Sequence, residues 1–588
     1  VAKPVLNYYT NTTYTAFTTY PDFLNSTQYA TILNEGRLND GMDSFFNQSQ
    51  IDAYTNGTDP INYPNENWKE MLFNDWGRQQ RHNLNLTGGN EKVRYFVSAG
   101  YLKQGSNYTV DVLNYEQYNV RSNIDADITD NLSLKLNFAG RRRINEAPAY
   151  SAYNIFRELF RAMPIDLAYY PDGTPARPSF SPNHVLEGIT DFNAGYYRAR
   201  NNNLDAKLTL EWDVPFIEGL KTRTYGSLVY NHNYQKEWGK SYDLYTLNRA
   251  TGEYDVFVAA PEGSFSETVL TNRMSYGNNY VVQQSLNYDR KFKGVHTVKG
   301  LLLGEVLKSQ GEDFWGRRQH FQSTLIDHLY AGSLANQNAS GGEYRENRLG
   351  LIGRVNYDYD ARYFIESSFR YDGSSRFKPG NQWGFFPSVS AGWRLSENAF
   401  FQGLKPIFSD AKVRASYGSA GSDGTAAYQW LSGFTFNHFF IPGQDVVPTI
   451  DNTSLANEDL TWETISTYNA GVDLKFYNNA LSVSFDYFFR DRDGVLANPS
   501  ASIPSTLGVG VAAQNLHSYS NEGFEIGVGY NKNLGRDIKF NAQLNFSRSR
   551  EKAVFIDEAL IEDEFMRENL TITGGYTNLR RGYVSDGL

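Results

Sequence analysis

Apolar and polar residues alternate one by one along most of this chain, and a period of two commits it to strands with two unlike faces. From Leu132 to Phe138, the residues Leu132, Leu134, Leu136 and Phe138 fall on one face, against Ser133, Lys135 and Asn137. The segment before it sets Tyr118, Val120, Ile124 and Ile128 against Asn119, Arg121, Asn123, Asp125 and Asp127. Leu204, Ala206, Leu208, Leu210 and Trp212 oppose Asp205, Lys207, Thr209, Glu211 and Asp213. Leu349, Leu351, Val355, Tyr357 and Tyr359 oppose Arg354, Asn356 and Asp358, after which Tyr363, Ile365 and Phe369 oppose Glu366, Ser368 and Arg370. Segments 481–487 and 538–546 repeat the rule.

A soluble antiparallel sheet alternates in the same way, so the period alone leaves two architectures open. Connection length separates them. Short links at 87–91, 129–131, 215–219, 290–295, 360–362 and 477–479 interleave with long ones at 103–115, 143–198, 234–278, 308–344 and 492–519. Transmembrane β-barrels sort their connections this way, into short periplasmic turns and long extracellular loops. A soluble sandwich has no reason to do so, and long structureless loops are uncommon in compact domains. The expected fold is therefore all-β: a large antiparallel transmembrane barrel of about sixteen or seventeen strands, with residues 1–588 as one incomplete barrel domain.

Composition agrees once the barrel is considered. The mean hydropathy is −0.54, and no apolar run approaches the length of a membrane helix, but barrels hide their apolar residues in alternation. Aromatic residues make up 15% of the chain, as interfacial girdles require. A Lys or Arg on the lipid side of the bilayer midplane costs on the order of 2–4 kcal/mol. Asp205, Lys207, Glu211 and Asp213 are therefore expected to line a wet lumen, as are Arg354, Glu366 and Arg370, with Leu208, Leu210 and Trp212 toward outer-membrane lipid.

The same inventory excludes several functions. With no cysteine there is no disulfide framework, thiolate metal site or cysteine nucleophile. A net charge of −10 argues against nucleic acid as the main partner. The eight histidines are scattered without metal-ligand spacing and read as surface or strand residues. Gly418–Gly424 lacks the following Lys of a phosphate-cradling loop and reads as a flexible external loop; Asp372–Ser375 reads as a tight loop rather than a nucleophile site. No catalytic constellation, metal site or cofactor is expected, and the chain is read as a non-enzyme.

The run Gly350–Tyr359 (GLIGRVNYDY), Phe369–Phe377 (FRYDGSSRF), Trp383–Trp393 (WGFFPSVSAGW) and Lys412–Gly418 (KVRASYG) closely resembles the SusC/RagA family of TonB-dependent outer-membrane transporters of the Bacteroidetes. Asn62–Trp68, His82–Gly89, Leu460–Glu463 and Asn521–Glu525 fit the same pattern in order and spacing. The resemblance implies a 22-stranded barrel, an amino-terminal plug, a SusD-like surface lipoprotein over the opening, and uptake of oligosaccharides or peptides driven by the TonB complex. It places the plug and the TonB-contacting segment before Val1 and further strands beyond Leu588. The chain, which begins at Val1 and not Met, is thus expected to be the wall and most external loops of a larger protein.

Two classes of function stay open: energised nutrient import, and a non-energised porin or surface-interaction barrel. For substrate or lid contact the candidate is the aromatic stretch Tyr428–Phe440, with Tyr428, Trp430 and Phe434 as flat faces and Asn437 and His438 as hydrogen-bonding groups. It suits a glycan somewhat better than a peptide. A helix is expected over Tyr153–Met163, stopped by Pro164, with Ile155, Leu159 and Met163 on one face. That face either packs on the loops or docks a lid protein.

Overall fold

The computed structural model describes residues 2–260, 267–441, 443, 447–499, 501–535, 537–579, 582 and 584. Seventeen strands form one antiparallel wall. In chain order they are Ala2–Thr15, Gly77–Gly89, Val93–Gln104, Asn114–Thr129, Leu132–Pro148, Gly195–Asp213, Leu220–Gly239, Val269–Phe292 and His296–Gln319. They continue as Asn338–Tyr359, Tyr363–Ser374, Trp383–Arg394, Phe408–Ser422, Glu463–Phe476, Leu481–Ala497, Gln514–Leu534 and Ile538–Phe555. Each pairs with the wall strand before it, so the topology is a plain meander. The first and last strands each have one strand partner among the described residues, which leaves the wall two edges.

The alternation of the sequence becomes two continuous faces because the registers align. Leu136, Leu208, Gly226, Val282, Val306 and Leu349 stand opposite one another across six strands. One residue away, Lys135, Thr209, Tyr225, Gln283, Glu305, Gly350 and Asp372 make a row on the other face. Among the described residues nothing covers the apolar face there: Leu208, Leu302, Val306 and Val355 are 45%, 47%, 48% and 55% exposed. A soluble monomer does not leave so large an apolar surface open to water. The soluble-sheet alternative fails on that observation.

At one end of the wall the strands are joined by short turns. Asp360 and Ala361 have φ of 54° and 52°, and Lys293 and Gly294 have 48° and 73°, the mirror-image turn conformation that matches strand twist. The link 395–407 departs from this, being long enough to hold two short 3-10 helices. At the other end stand the long connections 16–76, 105–113, 149–194, 240–268, 320–337, 375–382, 423–462 and 498–513.

These connections pack into a canopy. The first carries α1 (Ser26–Asn39), α2 (Gln48–Asn56) and α3 (Trp68–Leu72), none of which the alternation foretold. The expected helix is α4 (Ala152–Arg161), capped by the Ser151 hydroxyl accepting from the Asn154 N–H at 3.1 Å. Ile155 and Leu159 lie in a core with Trp68, Leu72, Ile189 and Leu244, drawn from three separate connections. Full burial of each such side chain contributes about 1.5–3 kcal/mol, so Ile155 and Leu159 are taken up by packing on the loops, while Phe160 of the same helix stays 58% exposed. A second core joins Phe377, Leu460, Trp462 and Ala513 to Phe386 of the wall.

Several expected loops are shorter than the sequence suggested, because the strands run on past the apolar band. Val269–Phe292 and His296–Gln319 have 24 residues each. The expected loop 234–278 narrows to 240–268 and holds a hairpin of Tyr242–Asn248 with Glu253–Ala259. Gly418–Gly424 is not a flexible loop: strand Phe408–Ser422 takes most of it, and Asp423 is buried. Asp372 likewise belongs to a strand, and the turn begins only after Ser374.

Candidate functional site

The polar face of the wall gathers every residue expected to line a lumen. Lys207 Nζ lies 2.9 Å from Asp205 Oδ2, and Lys221 Nζ lies 2.8 Å from Asp213 Oδ1. Glu211 accepts from Lys135 at 2.9 Å and faces Arg223 at 3.6 Å. Arg370 reaches Asp372 at 2.8 Å and Glu305 at 3.5 Å, and Glu366 accepts from the Asn356 amide. Arg354 stands across from Leu301 and Ser368 on the same face. Further along, Arg414 holds Asp473 at 3.0 Å and Asp486 at 2.5 Å, spanning the intervening strand above Gly471. A Cβ at Gly471 would sit 2.8 Å from Arg414 Cζ, so the missing side chain is what lets the guanidinium cross.

Over one part of this face hangs the aromatic connection. Tyr428, with a left-handed φ of 63°, donates its hydroxyl to the Arg345 carbonyl at 3.2 Å, near the canopy end of strand Asn338–Tyr359. Gln429 is tied on both sides: its amide donates to Thr425 Oγ1 at 2.6 Å and its carbonyl oxygen accepts from the Ala513 N–H at 2.6 Å. Trp430 is half-buried, and its indole N–H has no acceptor among the described residues. Phe434 belongs to the strand Gly433–Phe440 and is 62% exposed, with Phe436 beside it at 70%. The side chains of Asn437 and His438 lie outside the described residues.

Base and canopy are joined at Asp423. Its carboxylate accepts from Arg348 and, at 2.7 Å, from Ser374 Oγ, while Arg376 grips both oxygens of Glu346 at 2.8 Å and donates to the carbonyls of Asp423 and Thr425. The connection bearing Tyr428 and Trp430 is thereby anchored to the wall.

Residues 152–580 match the family described as TonB dependent receptor-like, beta-barrel. The chain belongs to that family. It is 26% identical over 519 residues to TonB-dependent receptor P3 of Formosa agariphila, an alignment covering 84% of this chain and 48% of that protein. It is 25% identical over 516 residues to TonB-dependent receptor SusC of Bacteroides thetaiotaomicron, covering 82% of this chain and 48% of that one. The receptor barrel thus spans about half the length of the curated relatives it matches. Its backbone superposes on the RagAB peptide importer in the open-open state with a TM-score of 0.76 at 18% identity, covering 95% of this chain and 62% of the other. The TonB-dependent receptor barrel resides in the bacterial outer membrane, and its named relatives are transport receptors.

Residues that shape the canopy of this receptor barrel escaped sequence reasoning. His184, read as a surface or strand residue, is fully buried between the Trp68 and Tyr169 rings. Its Nδ1 accepts from the Glu187 N–H at 3.0 Å, which leaves Nε2 to donate to the Ala168 carbonyl at 2.8 Å. Burial holds its pKa down at about 4, so the ring is neutral. Glu158 is buried with Arg157 at 3.1 Å, Arg161 at 3.3 Å and the Ser181 hydroxyl around it. Burial raises the Asp166 carboxyl above its ordinary range, opposed by the Ser179 hydrogen bond. The only sequence signal for Glu158 was its place between two arginines on a helix; His184 offered none. Among the described residues no group of three His, Asp or Glu side chains could hold a metal ion.

Proposed function

We propose that this receptor barrel forms the wall and outer loops of an energised importer. Its polar face, including Asp205, Lys207, Glu211, Asp213, Arg354, Glu366 and Arg370, lines a water-filled lumen, and its apolar face meets lipid. The observation that carries the reading is the separation of the two faces beneath a packed canopy much larger than a diffusion pore needs. A SusD-like lipoprotein meets that canopy, and coupling to the TonB complex comes from outside the residues described.

The cargo is an oligosaccharide. Tyr428, Trp430 and Phe434 give flat apolar faces, with a free indole N–H among them, the mixture expected of a small-molecule site. The fold likeness to the RagAB peptide importer favours a second reading, in which the cargo is a peptide. Uptake of labelled oligosaccharides and of labelled peptides by cells, with and without the membrane proton gradient, separates these readings. Gradient-dependent uptake of glycan that is lost in Trp430→Ala and Phe434→Ala supports the first. Uptake of peptide alone would transfer the site to the second, and uptake indifferent to the gradient would favour a porin.

A further inference from the structure

On the polar face, toward the canopy, three adjacent register rows hold no acid. One runs through Arg81, Leu102, Gln117, Arg143, Asn201 and Asn233. The row beneath sets Arg141 among Asn83, Asn119, Asn203 and Asn231, and the row above runs from Gln79 and Gln104 to Asn145 and Gln235. On these strands acids return outside the rows, first at Glu237 above and at Asp205 below, where Lys207 holds the carboxylate at 2.9 Å.

Arg81 and Arg141 are exposed and Arg143 is half-buried, and none of the three has a hydrogen-bond or ion-pair partner among the described residues. The Arg143 Nε–H is shut away from solvent without an acceptor. Missing partners alone do not set them apart, since Arg121 and Arg354 lack an ion pair too. Arg121, however, donates to Asn123 at 3.2 Å and shares a row with Asp205, and Arg354 has Glu366 diagonally across on the next strand. The three arginines of the amide rows have no such acid beside them, and their like charges repel one another along the wall.

A wall that is basic and rich in amides fits a cargo that is anionic and rich in hydroxyls. We propose that Arg81, Arg141 and Arg143 bind the carboxylate or sulfate groups of an acidic oligosaccharide as it passes beneath the canopy. Guanidinium groups take such oxygens through charge-assisted, often bidentate hydrogen bonds. The surrounding Asn and Gln amides both donate and accept, as sugar hydroxyls require. From Arg81 to Arg143 the site crosses three strand intervals, about 14 Å at ~4.8 Å each, a span for an oligomer rather than a lone ion. The inference deepens the importer reading and rests on its assignment of the polar face to the lumen.

The test is calorimetric titration of the whole receptor, purified in detergent. The probes are an oligouronate and a sulfated oligosaccharide, their neutral counterparts with carboxyls reduced or sulfates removed, an oligoglutamate, and inorganic sulfate. The expected result is that an acidic sugar binds at least about tenfold more tightly than its neutral counterpart, the loss of one charge-assisted hydrogen bond. Arg81→Gln/Arg141→Gln should weaken that sugar on the order of 100-fold, two such factors of about ten, and leave the neutral sugars unchanged. Arg141→Lys, which keeps the charge, should retain most of the affinity, and Lys92→Gln, which removes a cation from the short turn 90–92, should retain all of it. Acidic sugars bound no better than neutral ones overturn the proposal without recourse to any variant, as does undiminished binding by the double variant. Oligoglutamate bound more tightly than either acidic sugar gives the site to a peptide, and sulfate bound as tightly shows an adventitious ion only; either overturns the sugar assignment. Failure of the importer reading has a separate signature: cellular uptake that ignores the proton gradient while the purified receptor still prefers the acidic sugar.

Discussion

Gly226 offers a direct measurement of which face meets lipid. It stands near the middle of the apolar-face series of its strand, which runs from Leu220 to Tyr230, and directly between Leu208 and Val282 on its neighbours. A Cβ built there meets nothing within 4 Å, so a larger side chain enters without a clash. Gly226→Lys should destabilise the inserted barrel by about 2–4 kcal/mol, the cost of a cation on the lipid face near the midplane. Gly226→Leu, with the same backbone change and an apolar side chain, should be neutral or stabilising. Ser227→Lys, one residue on, points to the polar face opposite Lys207, which already holds Asp205. Its penalty is a cross-strand like-charge term of less than about 1 kcal/mol. Equilibrium unfolding by guanidinium in lipid vesicles, with the three variants compared at equal slope, gives the differences directly. A costly Ser227→Lys beside a neutral Gly226→Lys would invert the faces and refute the argument.

Further outcomes follow from the canopy. His184 is held at a pKa of about 4 when folded, below its unfolded value of 6.5, so its contribution is complete above about pH 6.5 and is lost as pH falls toward 4. At about 1.36 kcal/mol per unit, roughly 3 kcal/mol of local stability is at stake; the protection of the Ala168–Glu187 amides, after correction for the pH dependence of intrinsic exchange, should fall over that window, and His184→Gln should flatten the dependence. Asp423→Ala removes the acceptor of Arg348 and Ser374 and should loosen connection 423–462 by roughly 1–3 kcal/mol, seen as faster proteolysis there with the wall intact. Trp430→Phe keeps an aromatic face but makes it smaller and removes the indole N–H; uptake should show a KM raised by about threefold to tenfold at unchanged expression if cargo uses that group, and an unchanged KM would remove Trp430 from the cargo site.

The wall was legible because its rule is local: the side chain's face is set by parity alone, and the cost of a charge in lipid fixes which parity goes where. Leu208 and Lys207 needed no neighbour to be assigned to opposite faces. The ends of the strands were not legible in the same way. Beyond the apolar band both faces meet water, alternation lapses, and strands such as His296–Gln319 continue through residues that read as loop. Helix α4 was visible through its 3.6-residue period and Pro164, whereas α1 and α2 were hidden by polar sequences whose helicity is fixed by capping boxes at Asn25 and Asn47. The canopy core is assembled from connections far apart in sequence. For that reason the burial of His184 and Asp423, which depends on partners such as Trp68 and Arg348, left no local trace.

The length of the strands has a consequence for reach. A strand of 24 residues covers about 80 Å, and a tilt of about 40° leaves some 60 Å along the barrel axis. An apolar band of about 25 Å uses less than half of that height. The remainder lifts the connections at the far ends of these two strands, 240–268 and 320–337, some 30 Å clear of the bilayer on hydrogen-bonded backbone. Loops carried at that elevation can be exchanged, lengthened or rebuilt without touching a residue that lipid has to accept. The connections can therefore change from one relative to the next while the membrane-facing band is inherited unaltered.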